Sequence, residues 1–221
     1  MKIPLSDRLL ACCGFVAPND RVADIGCDHG YLGIHLLKSG IARSVISADV
    51  NEGPLQRAMR NAIKFGVRNK MTFYLSDGVR NIPREFDVMV CAGMGADTII
   101  HILEDAPWLR GGDYRMILQC QSKTPMLRKY LSDNGWHITE EAILREGKFL
   151  YTVMSVCWDP LAPRLTLGQC HLNPVLNGSS EDLTEYRQRI IEGLRLAALH
   201  QNDGEKKHAL EELEHKKEET P

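Results

Sequence analysis

Carboxylates beside a glycine-rich segment are the first sign of chemistry in this sequence. Asp24 precedes the segment Gly26-Cys27-Asp28-His29-Gly30 by two residues, and Asp28 lies inside it. A glycine-rich turn between a strand and a helix is a frequent binding site for nucleotide-containing ligands. A carboxylate there would repel a phosphate, so the two acids favour a ligand with a cationic end, such as the ammonium and sulfonium of S-adenosylmethionine. The alternative is that both acids only cap the following helix.

Two more acids follow the next two apolar segments. Asp49 closes Val45-Ile46-Ser47-Ala48-Asp49, 23 residues after Gly26, the usual offset for a carboxylate that accepts hydrogen bonds from both ribose hydroxyls. Asp77-Gly78 follows the third apolar segment, where a carboxylate can accept from an adenine amino group. Each acid alone could be a surface turn residue. Acids after three consecutive strands favour a cofactor site, because ligands gather at the carboxyl edge of a parallel sheet.

A second glycine-rich segment, Ala92-Gly93-Met94-Gly95-Ala96, follows the fourth apolar run. Glycine lets a flat substrate approach the backbone closely, so this predicted turn is a candidate for holding a methyl acceptor beside the cofactor. The alternative is a tight turn that only starts the next helix.

The elements that would carry these residues alternate between strands and helices, which predicts an α/β fold with a parallel sheet covered on both faces. Two final strands, 136–146 and 148–157, are separated only by a tight hairpin, so the last of seven strands must run antiparallel to its partner. The other predicted strands are 21–26, 45–49, 71–75, 86–92 and 114–119, and the helices lie near 30–39, 54–65, 95–106 and 122–134.

Beyond Trp158 the pattern changes to turn-rich sequence and then to two helices. Residues 159–163 contain two prolines and predict a boundary between a domain at 1–158 and a small helical domain at 159–221. Ser179 or Ser180 is predicted to cap a helix that ends near residue 200, and a second helix, 205–219, completes a coiled-coil-like helical hairpin. For the last ten residues, a solvated and fraying terminus is the favoured interpretation.

The composition is that of an average soluble protein, with 221 residues, 43% hydrophobic and 25% charged, and a net charge of −2. No apolar run approaches the roughly 18 residues that span a bilayer, and the first residues lack the order of a signal peptide, so we expect a cytoplasmic protein. The seven cysteines contain no CxxC pair, and none pairs with a histidine at ligand spacing. This favours reduced structural cysteines and no metal site.

Basic residues are candidates for contacts with a polyanionic partner such as a nucleic acid. Four of them, between 57 and 68, recur at intervals of three, four and four with no acid between them, and predict one stripe along a helix. The stripe is either a phosphate track or an ordinary solvated helix face. A nearly neutral chain does not exclude RNA, because 11 of the 29 acids lie in residues 161–221. The candidates are Lys2, Arg8, Arg57, Arg60, Lys64 and Arg68.

Taken together, several segments resemble the bacterial tRNA (adenine-22-N1)-methyltransferase family. The combination of the Asp-His-containing loop with the Ala-Gly-Met-Gly segment is specific to that family, whereas either one alone is not. Where family members have Pro-Asn after Leu-Gln, this chain has Cys120-Gln121. The matching segments span nearly all of residues 1–157 and are Leu5-Ser6-Asp7-Arg8-Leu9, Val22-Ala23-Asp24-Ile25-Gly26-Cys27-Asp28-His29-Gly30-Tyr31-Leu32, Ser76-Asp77-Gly78, Ala92-Gly93-Met94-Gly95, Ile117-Leu118-Gln119 and Glu146-Gly147-Lys148-Phe149.

The resemblance implies a Rossmann-like class I methyltransferase fold with a helical C-terminal domain, S-adenosyl-L-methionine as cofactor, and methylation of N1 of adenine 22 in a tRNA partner. We expect a monomer or weak dimer. The residues expected to bind the cofactor are Asp24, Gly26, Asp28, His29, Gly30, Asp49, Asp77 and Gly78. Those expected at the adenine are Gly93, Met94, Gly95 and Gln119, with Gln119 contacting the base or its ribose.

Other functions remain open on sequence grounds. A methyltransferase for another RNA, a protein or a small molecule fits the cofactor half equally well. A non-catalytic RNA-binding relative would follow if Cys120-Gln121 disables the site. An NAD-dependent oxidoreductase is disfavoured by Asp28, which would face the pyrophosphate.

Overall fold

The computed structural model describes residues 2–111, 113–200 and 203–215, and its centre is one mixed β-sheet. The strand order is β3-β2-β1-β4-β5-β7-β6-β8. Strands β1 to β5 pair in parallel, and β7 lies antiparallel between β5 and β6. The strands are β1 (Arg21–Ile25), β2 (Ser44–Asp49), β3 (Met71–Leu75), β4 (Val88–Gly95), β5 (Arg115–Ser122), β6 (Trp136–Glu146), β7 (Phe149–Trp158) and β8 (Leu176–Asn177).

This topology confirms the predicted α/β fold and the antiparallel seventh strand. The two-residue strand β8 is an addition that the sequence did not predict, and it pairs in parallel with β6. The helices are α1 (Asp7–Gly14), α2 (Tyr31–Lys38), α3 (Glu52–Lys64), α4 (Ala96–Glu104), α5 (Thr124–Asp133), α6 (Leu167–His171), α7 (Ser180–His200) and α8 (Gly204–His215), with short 3-10 helices at Arg68–Lys70 and Pro107–Gly111.

The central strands are apolar throughout because they are covered on both faces. Along β4, Val88 and Val90 point into the core beneath α1 and α2, whereas Met89 and Cys91 point into the core beneath α4 and α5. All four side chains are fully buried. An uninterrupted run of buried residues is what a parallel strand between two helical layers requires.

A buried ion pair joins the sheet to the segment after residue 158. The Arg128 Nη2 on α5 lies 2.7 Å from Glu141 Oε1 on β6, and both side chains are 0% exposed. Arg128 Nη1 also donates to the carbonyls of Cys170 and His171, at 3.0 and 2.9 Å, and Asn173 Nδ2 donates to Glu141 Oε2 at 2.9 Å. We call these five residues, with Tyr186 near Arg128 Nη2, the C-terminal joint. Burial alone would lower the pKa of the Arg128 guanidinium, but the adjacent Glu141 carboxylate raises it above its ordinary value.

The C-terminal helices form the predicted hairpin. Ser179 Oγ accepts from the backbone N–H of Asp182 at 3.1 Å, so Ser179 is the cap of α7. Helices α7 and α8 meet through Leu194, Ala209 and Leu213, which are buried. The expected fraying of the last ten residues is wrong for residues 212–215, which are helical, because Leu213 packs in this cluster and Glu212 Oε2 accepts from the Gly168 N–H at 3.0 Å. Residues 216–221 lie outside the described residues. The domain boundary at 158 stays a prediction.

All seven cysteines are free thiols, and six of them are buried. Among the described residues, none of the helices combines the length and the apolar character that crossing a membrane requires.

Candidate active site at the carboxyl edge of the sheet

A cavity of about 290 Å³ lies where β1, β4 and β5 end, and we call it the edge cavity. Six of the residues singled out in the sequence line it, from the loop after β1, the β4 end, β5 and helix α1. Six others line it that were not among the predicted binding or catalytic residues, although Cys27, Ala92 and Gln121 belong to segments that the sequence singled out. Ser6 and Leu9 belong with Arg8 to the start of α1, a helix that the sequence did not predict. The expected residues are Arg8, Asp24, Gly26, Asp28, Gly93 and Gln119, and the others are Ser6, Leu9, Cys27, Leu32, Ala92 and Gln121.

Asp24 is the buried charge of the edge cavity. Its side chain is on β1, the residue is 4% exposed, and its Oδ2 has no hydrogen-bond partner among the described residues. Burial raises the pKa of the Asp24 carboxyl to about 7, the backbone N–H of Gly33 lowers it in part, and the Asp49 carboxylate raises it further. Burying a carboxylate oxygen without a hydrogen-bond partner costs free energy. This oxygen is therefore an unused acceptor for a cationic or hydrogen-bond-donating ligand.

The loop after β1 is held by its backbone. Gly26 and Gly30 have φ values of +71° and +69°, and Asp28 has φ +46°, in the left-handed region that favours glycine. The Asp28 N–H donates to Asp49 Oδ2 at 3.1 Å, while Asp49 Oδ1 accepts from the Asn51 N–H at 2.9 Å. Asp49 thus fixes the loop against the end of β2, and it is 7% exposed.

The Asp28 carboxylate lies at the outer side of this loop. It is 62% exposed, and its nearest charged neighbours are Arg57 Nη2 at 3.6 Å and His29 Nε2 at 3.5 Å. The Asp28 carboxylate makes no hydrogen bond to the first turn of α2 among the described contacts, so the alternative that both acids cap this helix is wrong for Asp28. Asp24 does interact with the first turn, through the Gly33 N–H. A Cβ at Gly30 would lie 3.0 Å from the Ala58 Cβ, so this glycine allows α3 to approach the loop.

The Ala-Gly-Met-Gly segment is not the predicted turn. Strand β4 continues to Gly95, and its register against β5 shifts between Ala92 and Met94, so Gly93 forms a β-bulge. Gly93 has φ +78°, and its N–H donates to Gln119 Oε1 at 2.9 Å. A bulge kinks a strand and re-aims its side chains, and here Met94 Cε lies so close to Gly26 that a Cβ on Gly26 would clash with it. The two glycine-rich segments are therefore in direct contact.

Gln119 supports this bulge from β5. It is 1% exposed, and its Nε2 donates to the Cys120 carbonyl at 3.2 Å, so both ends of its amide have partners within the protein. Gln121 lies beside it, with Nε2 3.5 Å from the position of a Gly93 Cβ. The contact of Gln119 with the base stays a prediction, and Gln121 is the amide in the edge cavity that has no such internal bond among the described contacts.

Asp77 and Gly78 follow β3 at the same edge of the sheet but do not line the edge cavity. Asp77 Oδ2 lies 3.1 Å from Arg80 Nη1, and Arg80 also pairs with Asp105. His101 lies near both acids, and the three side chains could reach a metal ion together, but the Arg80 guanidinium already neutralises the two carboxylates. The role of Asp77 at an adenine amino group stays a prediction.

The basic residues do not form one helical stripe, contrary to the sequence prediction. Helix α3 ends at Lys64, and Gly66, with φ +72°, turns the chain before Arg68. Arg68 lies in the 3-10 helix Arg68–Lys70, where its Nη1 donates to the Met71 carbonyl at 2.9 Å. Arg57, Arg60 and Lys64 remain exposed on α3, and Lys2 is exposed before α1.

Comparisons with known proteins agree with this geometry. The model of a family described as "Methyltransferase domain" matches residues 5–154. A Bacillus subtilis protein, tRNA (adenine(22)-N(1))-methyltransferase, is 30% identical over 154 residues, which are 69% of this chain and 65% of that protein. The Mycoplasma genitalium protein MG248 is 32% identical over 138 residues, 61% of each chain. The matched part thus spans less than two thirds of the length of these curated relatives.

Solved structures cover more of the chain. The crystal structure of Streptococcus pneumoniae Sp1610 in complex with S-adenosyl-L-methionine superposes with a TM-score of 0.81, at 29% identity, over 95% of this chain and 99% of that chain. The similarity therefore extends beyond residue 154 to the helices at the C-terminal side.

Proposed function

Because this chain belongs to the methyltransferase domain family, and within the class I enzymes to the family of the bacterial tRNA (adenine(22)-N(1))-methyltransferases, we propose that it transfers a methyl group from S-adenosylmethionine to N1 of adenine 22 in tRNA. The observation that carries the proposal is the buried Asp24 Oδ2 without a partner, at the wall of a cavity at the carboxyl edge of a parallel sheet. An anionic cofactor end would be repelled at this position, whereas a cationic one would be bound.

The residues present fit S-adenosylmethionine. Asp24, with the backbone of Gly26, would hold the ammonium group of the methionine part. Asp49, which already fixes the loop after β1, has further acceptor sites for ribose hydroxyls. Asp77, which follows β3 at the same edge of the sheet, would accept from the adenine amino group with its carboxylate shared with Arg80. Asp28 contributes its backbone to this loop, while its exposed carboxylate faces Arg57 and His29. We therefore assign Asp24, rather than Asp28, as the principal carboxylate for the cofactor.

The chemistry needs alignment more than proton transfer. When bound, the cofactor supplies a methyl group on a sulfonium centre, and adenine N1 has a free lone pair in the neutral base, so no strong base has to act first. The protein must hold the base in line and exclude water. Gln119 holds the Gly93 bulge, and the bulge brings Met94 against Gly26, so these residues fix the distance between the cofactor loop and the wall for the adenine.

The proposal includes tRNA as the partner and the cytoplasm as the place of reaction, with a monomer or weak dimer as the active form. The family supports the tRNA substrate. Arg57, which lies beside Asp28 of the edge cavity, and the exposed Arg60 and Lys64 on the same helix support a phosphate contact.

The experiment that tests the proposal is a transfer assay with radiolabelled S-adenosylmethionine and an unmodified tRNA transcript, followed by mapping of the methyl group. We expect label at N1 of adenine 22, and none on a transcript that carries guanine at this position. Calorimetry with S-adenosylmethionine and with NAD is run alongside. Label at another base, cofactor binding without transfer to RNA, or binding of NAD in place of S-adenosylmethionine would each contradict the proposal.

A further inference from the structure

A row of cationic and aromatic side chains leaves the edge cavity along the β6–β7 hairpin. The guanidinium of Arg8, which lines the edge cavity, lies 4.9 Å from the centre of the Tyr151 ring. The Tyr151 and Phe149 rings are 6.2 Å apart, and Lys148 Nζ lies 5.4 Å from the Phe149 ring. We call Arg8, Tyr151, Phe149 and Lys148 the hairpin strip.

The strip lies on the same face of the sheet as the edge cavity. Alternate residues of a strand share a face, so the side chains of Phe149 and Tyr151 are on the same face of the sheet as that of Val153. Val153 pairs with Gln119 on β5, and Gln119 lines the edge cavity. Phe149 is 52% exposed, although an aromatic ring of this size is normally buried. The core packing of the described residues does not account for this exposure, because Phe149 contributes to neither of the two main clusters.

The strip is held in place from both sides. Arg8 Nε donates to Glu146 Oε2 at 2.6 Å, which ties α1 to the end of β6. On the other side, Arg189 on α7 donates to the Lys148 carbonyl at 3.3 Å. Arg145 on β6 pairs with Asp182 and Glu185 of α7. A binding surface that is already fixed loses little conformational entropy when it is occupied.

We propose that the hairpin strip stacks an unpaired nucleotide next to the target adenine, with Phe149 and Tyr151 on the base and Arg8 and Lys148 on the phosphates. The proposal rests on the proposed function and names the part of the RNA that this surface takes. Presenting the N1 edge of an adenine requires unpairing or extrusion of the base, which leaves its neighbours unstacked. Aromatic faces with flanking cations are the chemistry that binds single-stranded nucleotides without sequence preference. A peptide partner is less suited, because the two exposed rings lie beside Arg8 and Lys148, and the one carboxylate described at the strip, Glu146, is already paired with Arg8.

The test compares Phe149→Leu, which keeps an apolar side chain but has no ring face, with Phe149→Trp, which keeps the ring. The remote control is Leu161→Ala, at a residue that is 92% exposed beyond the other end of β7. The readouts are the Kd for S-adenosylmethionine by calorimetry and the KM and Kd for unmodified tRNA. A tRNA transcript with 2-aminopurine beside position 22, on one side and then on the other, reports stacking through quenching of its fluorescence.

We expect Phe149→Leu to raise the tRNA Kd roughly five- to 150-fold, the range for loss of one base stacked on an aromatic ring, and to abolish the quenching. Cofactor affinity should not change, and Phe149→Trp and Leu161→Ala should behave as wild type. Two results would overturn the role of the hairpin strip while leaving the proposed function intact, provided that the wild-type enzyme is active. One is an unchanged tRNA Kd in Phe149→Leu, and the other is an equal loss of tRNA affinity in Phe149→Trp and Phe149→Leu. A wild-type protein that binds the cofactor but methylates no tRNA would overturn the proposed function and the strip with it.

Discussion

Two regions of the molecule bury charged side chains, the edge cavity around Asp24 and the C-terminal joint around Arg128, and they satisfy these charges differently. In the joint, the Arg128 guanidinium has Glu141, two backbone carbonyls and Tyr186 around it, and Glu141 also accepts from Asn173. In the edge cavity, Asp24 Oδ2 has no partner, and its burial raises the pKa of this carboxyl to about 7.

The difference separates a structural charge from a binding one. A buried pair with all its hydrogen bonds made has no capacity left for a ligand, and breaking it leaves an uncompensated charge. A buried acid with an open oxygen is unfavourable in the free protein and gains a partner only when a ligand arrives. Removing the buried charge is therefore expected to lower the stability of the fold in the C-terminal joint, and to lower the affinity for the cofactor in the edge cavity.

The largest expected effect is at the joint. Arg128→Met should lower the free energy of unfolding by about 3–5 kcal/mol, because Glu141 stays buried without a counter-charge. Chemical denaturation measures this loss. The double variant Arg128→Met with Glu141→Leu should recover most of it, and Arg195→Met, which breaks an exposed pair with Glu214, should cost less than about 1 kcal/mol. A single variant as stable as the wild type would show that the joint is not structural.

The next largest effect is expected at the edge cavity, where cofactor affinity should fall and stability should not. Asp24→Asn should weaken S-adenosylmethionine binding by about 1.5–3 kcal/mol, roughly 10- to 150-fold in Kd, because a charge-assisted hydrogen bond is lost. The neutral amide removes the cost of burying a charge, so the free energy of unfolding of the cofactor-free protein should not fall. Calorimetry and denaturation on the same samples check both parts. If Asp24→Asn lowers the free energy of unfolding and leaves the affinity for S-adenosylmethionine unchanged, Asp24 has a structural role like that of Arg128 and does not bind the cofactor.

The pH dependence sharpens the comparison further. The folded pKa of Asp24, about 7, is above the value near 3.8 of an ordinary carboxyl, so the cofactor-free folded state binds this proton more tightly than the unfolded chain. That contribution to stability is present at low pH and is lost as the pH rises through about 7. Cofactor binding needs the carboxylate, so it should show the opposite trend.

We expect the Kd for S-adenosylmethionine to increase about tenfold for each pH unit below about pH 7, with proton release on binding near neutral pH. Titrations between about pH 5.5 and 8, in buffers of different ionisation enthalpy, measure both quantities. In Asp24→Asn the dependence should disappear. A wild-type Kd that is flat across this range would mean that Asp24 is ionised already or does not contact the ligand.

The smallest expected effect concerns charges that are not buried at all. Lys64→Gln on α3 should raise the tRNA Kd roughly fivefold near physiological salt and reduce the slope of log affinity against log salt by about one unit, as for loss of one phosphate contact. Lys207→Gln on α8, also exposed, serves as the matched control. Equal slopes for both variants and the wild type would favour the interpretation of α3 as an ordinary solvated helix face.

The sequence predicts the sheet, and the position of the acids at its carboxyl edge, well because their signals are local. The buried run Val88–Cys91 and the acids after β1, β2 and β3 follow from alternation and from the position of each residue after an apolar segment. The sequence does not indicate α1, because it is an eight-residue helix without a long apolar period. Its cap, in which Ser6 Oγ accepts from the Leu9 N–H, is nevertheless a recognisable pattern.

Other features depend on contacts between distant segments, which periodicity does not encode. The Gly93 bulge needs Gln119 from the neighbouring strand to bind its N–H, so a glycine-rich turn was the natural expectation. Arg68 keeps the spacing of Arg60 and Lys64, but Gly66 ends the helix before it. The isolated pair Leu176–Asn177 becomes a strand only because β6 offers it an edge.

The C-terminal joint also sets an order of events during synthesis on the ribosome. All residues that line the edge cavity lie before residue 122. Arg128 and Glu141 complete their hydrogen bonds only after Asn173 and Tyr186 have left the exit tunnel. At the usual elongation rate of about 5–20 residues per second, the 45 residues that follow Glu141 up to Tyr186 correspond to roughly 2–9 s. During that interval the nascent chain carries a complete set of cavity residues and an ion pair still open to water, which the segment with Asn173 and Tyr186 then covers.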